Sequence, residues 1–97
     1  MIYQVIIPES VYLELEEASA YYESKQKDLG LTFILEWETT LEFLKEAPLL
    51  CQKKHGQLRT VRINKFPYLM VFEIIGHKIY VFRVTHAKRS SKKMFKK

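Results

Sequence analysis

Residues 58–86 read LRTVRINKFPYLMVFEIIGHKIYVFRVTH, three runs of strand character in close succession. The first, Leu58 to Lys65, alternates, with Val61 and Ile63 on one side and Thr60, Arg62 and Asn64 on the other. The second, Tyr68 to Ile75, is apolar on both sides apart from Glu73, the pattern of a central strand. The third, Lys78 to His86, follows Gly76-His77, a length that suits a tight hairpin. Pro67 has no N–H to give a ladder, so it belongs at a strand start or in the turn between the first two runs. Three strands joined this closely predict antiparallel pairing.

Upstream, Ile2 to Ile7 is mostly β-branched or aromatic and stops at Pro8, which predicts a first strand. Val11, Leu15, Ala18 and Tyr22 then recur at four, three and four, one apolar stripe on a helix, with Glu14, Glu16, Glu17 and Glu23 on its other faces. The pattern breaks near Asp28-Leu29-Gly30, where Gly30 can take the left-handed conformation that ends helices. A second stripe of Ile34, Trp37, Leu41 and Leu44, widened by Phe33 and Phe43, runs until Pro48. Two helices on a short turn make an antiparallel hairpin over residues 9–47, whose Trp37 and Tyr21-Tyr22 read as packing residues. Residues 49–57 show neither period and read as a basic loop. The order is β-α-α-β-β-β. The expected class is α+β, a helical hairpin packed on a mainly antiparallel, twisted four-stranded sheet, in a single domain over 1–97 with a basic C-terminal tail over 90–97.

With 97 residues, 47% of them hydrophobic, the chain can build one core. No apolar run approaches the roughly 20 residues of a membrane helix, and Met1-Ile2-Tyr3-Gln4 lacks the marks of a secretory signal, so a cytoplasmic protein is expected. The single cysteine, Cys51, reads as a buried structural thiol. The chain has no glycine-rich nucleotide loop, zinc pattern or Ser-His-Asp set, so neither a cofactor, a metal nor a small-molecule substrate is expected. Charge is split along the chain. Residues 9–46 hold ten acids and three Lys, whereas residues 47–97 hold thirteen Lys or Arg and the single acid Glu73. A basic half is consistent with a solvated surface or with contact to nucleic acid or an acidic protein segment. Lys54, Arg59, Arg62, Arg83, Lys88 and Arg89 stand at or near strand ends, His86 closes the last strand, and together they point to an anionic target.

Phe66-Pro67-Tyr68, preceded at seven residues by Arg59 and followed by the strand Leu69 to Ile75 and then by Val84-Thr85-His86-Ala87-Lys88-Arg89, resembles the C-terminal half of ParE-type toxins. Tyr21-Tyr22-Glu23 closing the first helix and Leu29-Gly30-Leu31-Thr32-Phe33 opening the second resemble the helix hairpin of the same RelE/ParE superfamily. The match covers nearly the whole chain and rests on the order of the motifs. It implies the toxin of a type II toxin-antitoxin module, neutralised by a cognate antitoxin through an acidic C-terminal segment.

Two activities occur in that superfamily. RelE-like members cut messenger RNA on the ribosome, and ParE-like members inhibit DNA gyrase without hydrolysis. Metal-free RNA cleavage needs cationic groups and a proton donor that converge on one phosphate. Here Leu69 follows Tyr68 where RelE-like nucleases carry an arginine, and Phe95 stands where they carry a catalytic tyrosine. The resemblance therefore implies a ParE-like gyrase inhibitor, with the ribosome-dependent nuclease or an inactive binding module as alternatives. For a nuclease the catalytic set would be Lys54, Arg59, Arg62, His86 and Arg89. For a binder the target and antitoxin contacts are Arg62, Tyr68, His86, Lys88, Arg89, Lys92 and Lys93. His86 can act as an acid or base or simply cap its strand. Arg59, sharing a side with Val61 and Ile63, is expected to snorkel or to pair, with Glu73 on the neighbouring strand as a candidate partner, and Arg62 on the other side is free to meet a partner. Lys92, Lys93, Lys96 and Lys97 otherwise form a solvated tail, with Met94 and Phe95 available to dock back.

Overall fold

The structure, a computed structural model, describes residues 2–88. Its elements are β1 (Gln4–Ile6), α1 (Glu9–Lys25), α2 (Leu29–Glu46), a 3-10 turn at Pro48–Leu50, β2 (Lys53–His55), β3 (Leu58–Arg62), β4 (Tyr68–Ile75) and β5 (Lys78–His86). The strands form one sheet in the order β1-β5-β4-β3-β2. The last three pair antiparallel, and β1 joins β5 in parallel at the outer edge. The fold is α+β, as expected, but the sheet has five strands and not four. The extra one, β2, lies in the stretch read as a loop. Lys53-Lys54-His55 carries no strand propensity of its own, and pairing with β3 through the turn at Gly56 (φ 57°) supplies the order that the sequence does not. The first of the three runs also ends early, at Arg62, because Lys65 adopts a positive φ of 72° in the turn to β4.

Both helices lie on one face of the sheet. Val11, Leu15 and Ala18 of α1 and Phe33, Trp37 and Leu44 of α2 share a core with Ile63, Phe66, Met70, Phe72, Ile79, Val81 and Val84. Phe43, expected to widen the apolar face of α2, is 40% exposed, because the hairpin turns it away from the sheet. The turn between the helices is cross-braced. Glu23 accepts the backbone N–H of Asp28 at 2.9 Å and of Gly30 at 3.0 Å, so α1 supplies an anionic cap to the first turn of α2. The left-handed residue is Asp28 (φ 67°) and not Gly30, which is already helical. What Gly30 supplies is closeness: a Cβ there would stand 2.5 Å from the Ser19 carbonyl oxygen.

One irregularity aims the end of β5. Val71 pairs with Arg83 and Phe72 with Val81, so Phe82 is the extra residue of a β-bulge. The bulge resets the alternation. Val81 and Val84, three apart, both enter the helix-side core, and His86 falls on that side beside Tyr68.

Candidate partner-binding cleft

The C-terminal half of α1 stands off the ends of β4 and β5 and leaves an open cleft of about 670 Å³. Glu14, Glu17, Ala18, Tyr21 and Tyr22 line one wall, and Pro67, Tyr68, Val84, His86 and Lys88 the other. Its floor is an aromatic cluster. The Tyr22 ring lies 4.7 Å from Phe66, 5.5 Å from Phe33 and 6.0 Å from Tyr68, centroid to centroid. Tyr68 in turn meets His86 edge-on at 5.4 Å. Such pairs add about 0.5–1.5 kcal/mol each beyond the area they bury. Burial, and then the neighbouring Tyr68 and Tyr21 hydroxyls, push the Tyr22 phenol above its ordinary range. At neutral pH it is therefore an uncharged donor.

Electrostatics in the cleft are set by Glu14. Its carboxylate accepts Arg83 Nε–H at 2.8 Å and the backbone N–H of Val84 at 2.9 Å. The second contact has a topological cause. β1 reaches along β5 only as far as Tyr80, so the outward N–H of Val84 has no neighbouring strand, and a helix carboxylate takes that strand's place. His86 is oriented by its own chain: the Lys88 N–H donates to Nδ1 at 3.1 Å, which leaves the neutral ring's proton on Nε2. Lys88 itself is exposed.

Of the expected contact residues, the cleft brings together Tyr68, His86 and Lys88. The others within the described residues go elsewhere. Arg62 pairs with Leu69 in register and faces the helix-free side. Arg59 donates to the Cys51 carbonyl at 2.6 Å, a shorter-range partner than the candidate Glu73, because β2 brings the Cys51 backbone alongside. Lys54 lies on β2, three strands from β5, about 14 Å across the sheet at the usual ~4.8 Å spacing. Arg83, grouped in the sequence with the cations that point to an anionic target, is bonded to Glu14. Arg89, Lys92, Lys93 and Phe95 lie outside the described residues. Sequence reading missed Glu14 and Glu17 as cleft residues and took Tyr21 and Tyr22 only as packing. The one signal available was the Tyr-Tyr pair at the end of an otherwise acidic helix. No helix among the described residues is long and apolar enough to cross a membrane.

A helical hairpin clasped to a mostly antiparallel sheet, with an aromatic, mixed-charge cleft between α1 and β5, defines a small α+β domain. The family follows from the sequence: residues 5–91 match the model of the ParE toxin of the type II toxin-antitoxin system parDE, and the chain belongs to that family. No curated protein matches it by sequence. Among solved structures it is similar to a chain described as "Chromosomal ParDE TA system from P. aeruginosa", at 12% identity, with a TM-score of 0.76, over 88% of this chain and 96% of that one. At that identity the likeness concerns the fold.

Proposed function

We propose that this toxin acts by binding and not by cutting: it inhibits DNA gyrase, and a cognate antitoxin holds it inactive by laying an acidic C-terminal segment in the α1–β5 cleft. The observation that carries this reading is the dispersal of the cations. A metal-free nuclease must aim its charges and its proton donor at one phosphate. Here Arg59 is bonded to Cys51, Lys54 stands at the far edge of the sheet, and Arg62 lies on the face opposite His86. Leu69, where an arginine would be required, packs with Val71 on the helix-free face. The cleft suits an amphipathic segment: apolar side chains against Tyr22, Tyr68 and Val84, carboxylates toward Lys88 and the His86 ring.

The nuclease alternative draws on one feature, the meeting of Tyr68, His86 and Lys88 in the same cleft. Two assays run in parallel separate the readings. Purified toxin is added to gyrase, scoring supercoiling and trapped cleavage complexes, and transcripts are mapped on translating ribosomes after expression. The expected result is gyrase inhibition with intact transcripts. Codon-linked cuts that disappear in His86→Ala, with gyrase unaffected, overturn the proposal.

A further inference from the structure

The outer face of the helix hairpin carries a groove between α1 and α2. Tyr12, Ala20 and Ile34 border a first basin of about 550 Å³. Past the Tyr12–Trp37 ring pair, a second basin of about 710 Å³ runs along Leu35 and Leu41 as far as Lys45 in the last turn of α2. Apolar surface here is open to water, with Tyr12 48% and Leu35 52% exposed. The rim is acidic: Glu16 and Glu23 edge the first basin, Glu38 and Glu42 the second. Glu23 accepts the backbone N–H groups of Asp28 and Gly30, and Glu42 pairs with Lys45, whereas Glu16 and Glu38 form no ion pair among the described residues. An apolar floor beside unpaired carboxylates selects a segment that is apolar and basic at once.

We infer that the occupant is a second copy of this chain, seated through residues 48–53, the stretch that follows α2. Leu49 and Leu50 stand out from the 3-10 turn at 63% and 76% exposed. Lys53 is exposed as well, and its register opposite Arg59, two residues before the core-packed Val61, puts it on the helix side of the sheet. This stretch complements the groove: the two leucines cover Leu35 and the Tyr12–Trp37 pair, and Lys53 meets Glu38. Groove against groove would instead set acid on acid. Position allows the contact to close. The second basin ends at Lys45, three residues before Pro48, so groove and turn adjoin. From Trp37 to Glu46 the helix rises about 14 Å, and two copies with α2 antiparallel can each lay their turn in the other's groove. Such a two-fold contact stops at two chains. The charge of +5 on each copy opposes approach, but at physiological salt it is screened beyond about 8 Å, which leaves the local complementarity to decide. The α1–β5 cleft opens on the other flank of α1, with Glu17 and Tyr21 instead of Glu16 and Ala20, and stays free in the dimer.

Sedimentation velocity of the full-length chain, from low micromolar to several hundred micromolar, should show a monomer passing to a dimer and no further. The chain has a single tryptophan, so the Trp37 indole N–H is the only signal of its kind in a nitrogen-15 spectrum. It should shift with concentration, together with the amides of Leu35, Leu49, Leu50 and Lys53. Glu38→Lys and Lys53→Glu, both on the surface, should each raise the dimer Kd about tenfold. An equimolar mixture of the two should dimerise again, because each supplies the charge that the other has lost. A monomer across the whole range overturns the inference, and so does a mixture that stays monomeric. Shifts confined to the α1–β5 cleft count against it equally. Association that survives Leu50→Ser/Lys53→Glu undiminished assigns the groove to another basic segment and also overturns it.

Discussion

Glu14 is one of five glutamates in α1, and nothing in its immediate sequence separates it from Glu16 and Glu17. Its position opposite the unpaired edge of β5 does. One carboxylate satisfies the Val84 N–H and the Arg83 guanidinium, two charge-assisted bonds that each contribute on the order of 1.5–3 kcal/mol. Tyr22 is a second residue defined by its surroundings. Because its native pKa lies above the ordinary 10.0, the unfolded chain releases this proton first as pH rises past that value. The native state then holds more protons than the unfolded one, and stability falls with pH. The contribution is whole below about pH 10 and is lost as pH climbs through the native pKa. Urea unfolding from pH 8 upward should therefore show a steeper alkaline loss in the wild type than in Tyr22→Phe; parallel curves would refute the assignment.

At the scale of elements, the helix hairpin depends on how closely α1 and α2 approach. Gly30 makes the contact possible, since a methyl group there would meet a backbone oxygen of α1 that has no rotamer to escape into. Gly30→Ala gains helix propensity of about 1 kcal/mol, but overpacking at a rigid contact costs typically 1–3 kcal/mol. Since this contact is with backbone, the loss should win, with a net destabilisation of up to about 2 kcal/mol read as a lower urea midpoint. A midpoint at or above that of the wild type would mean that the helices separate freely. The bulge at Phe82 works at the same scale. Without it, Val84 and His86 would point away from α1, and the cleft would lose its floor on that side.

For the whole molecule, the charge split in the sequence becomes a split in space. The acidic hairpin lies on one face, and the basic half builds the sheet. The two are joined by Glu14–Arg83 at 2.8 Å and Glu36–Lys65 at 3.3 Å. With a formal charge of +5, the protein should attract an acidic antitoxin segment from a distance. Fluorescence anisotropy of such a segment should give a Kd that rises roughly three- to tenfold between about 0.05 and 0.5 M salt, and then levels off because the aromatic floor is insensitive to screening. Lys88→Glu should weaken binding and flatten that slope. A Kd independent of salt would place the contact on apolar surface alone.

How much of this was legible depends on the range of the interaction that fixes each feature. Periodicity is a local property, so the stripe of Val11, Leu15 and Ala18, the three strand runs and the stop at Pro8 could be read directly, and with them the class of fold and the family resemblance. Of the residues lining the candidate cleft, those at or just beyond strand ends, Tyr68, His86 and Lys88, could be picked out from the sequence. Lys53–His55 became a strand only because β3 lies beside it, and Gly30 is required by a serine eleven residues earlier. Arg83, one of the cations expected to meet an anionic target, is instead held by a glutamate 69 residues away. Even the bulge left only a faint trace, the spacing of three between Val81 and Val84. Side chains announce their faces through neighbours in sequence, but hydrogen bonds and ion pairs are formed with neighbours in space, and those exist only once the chain has closed on itself.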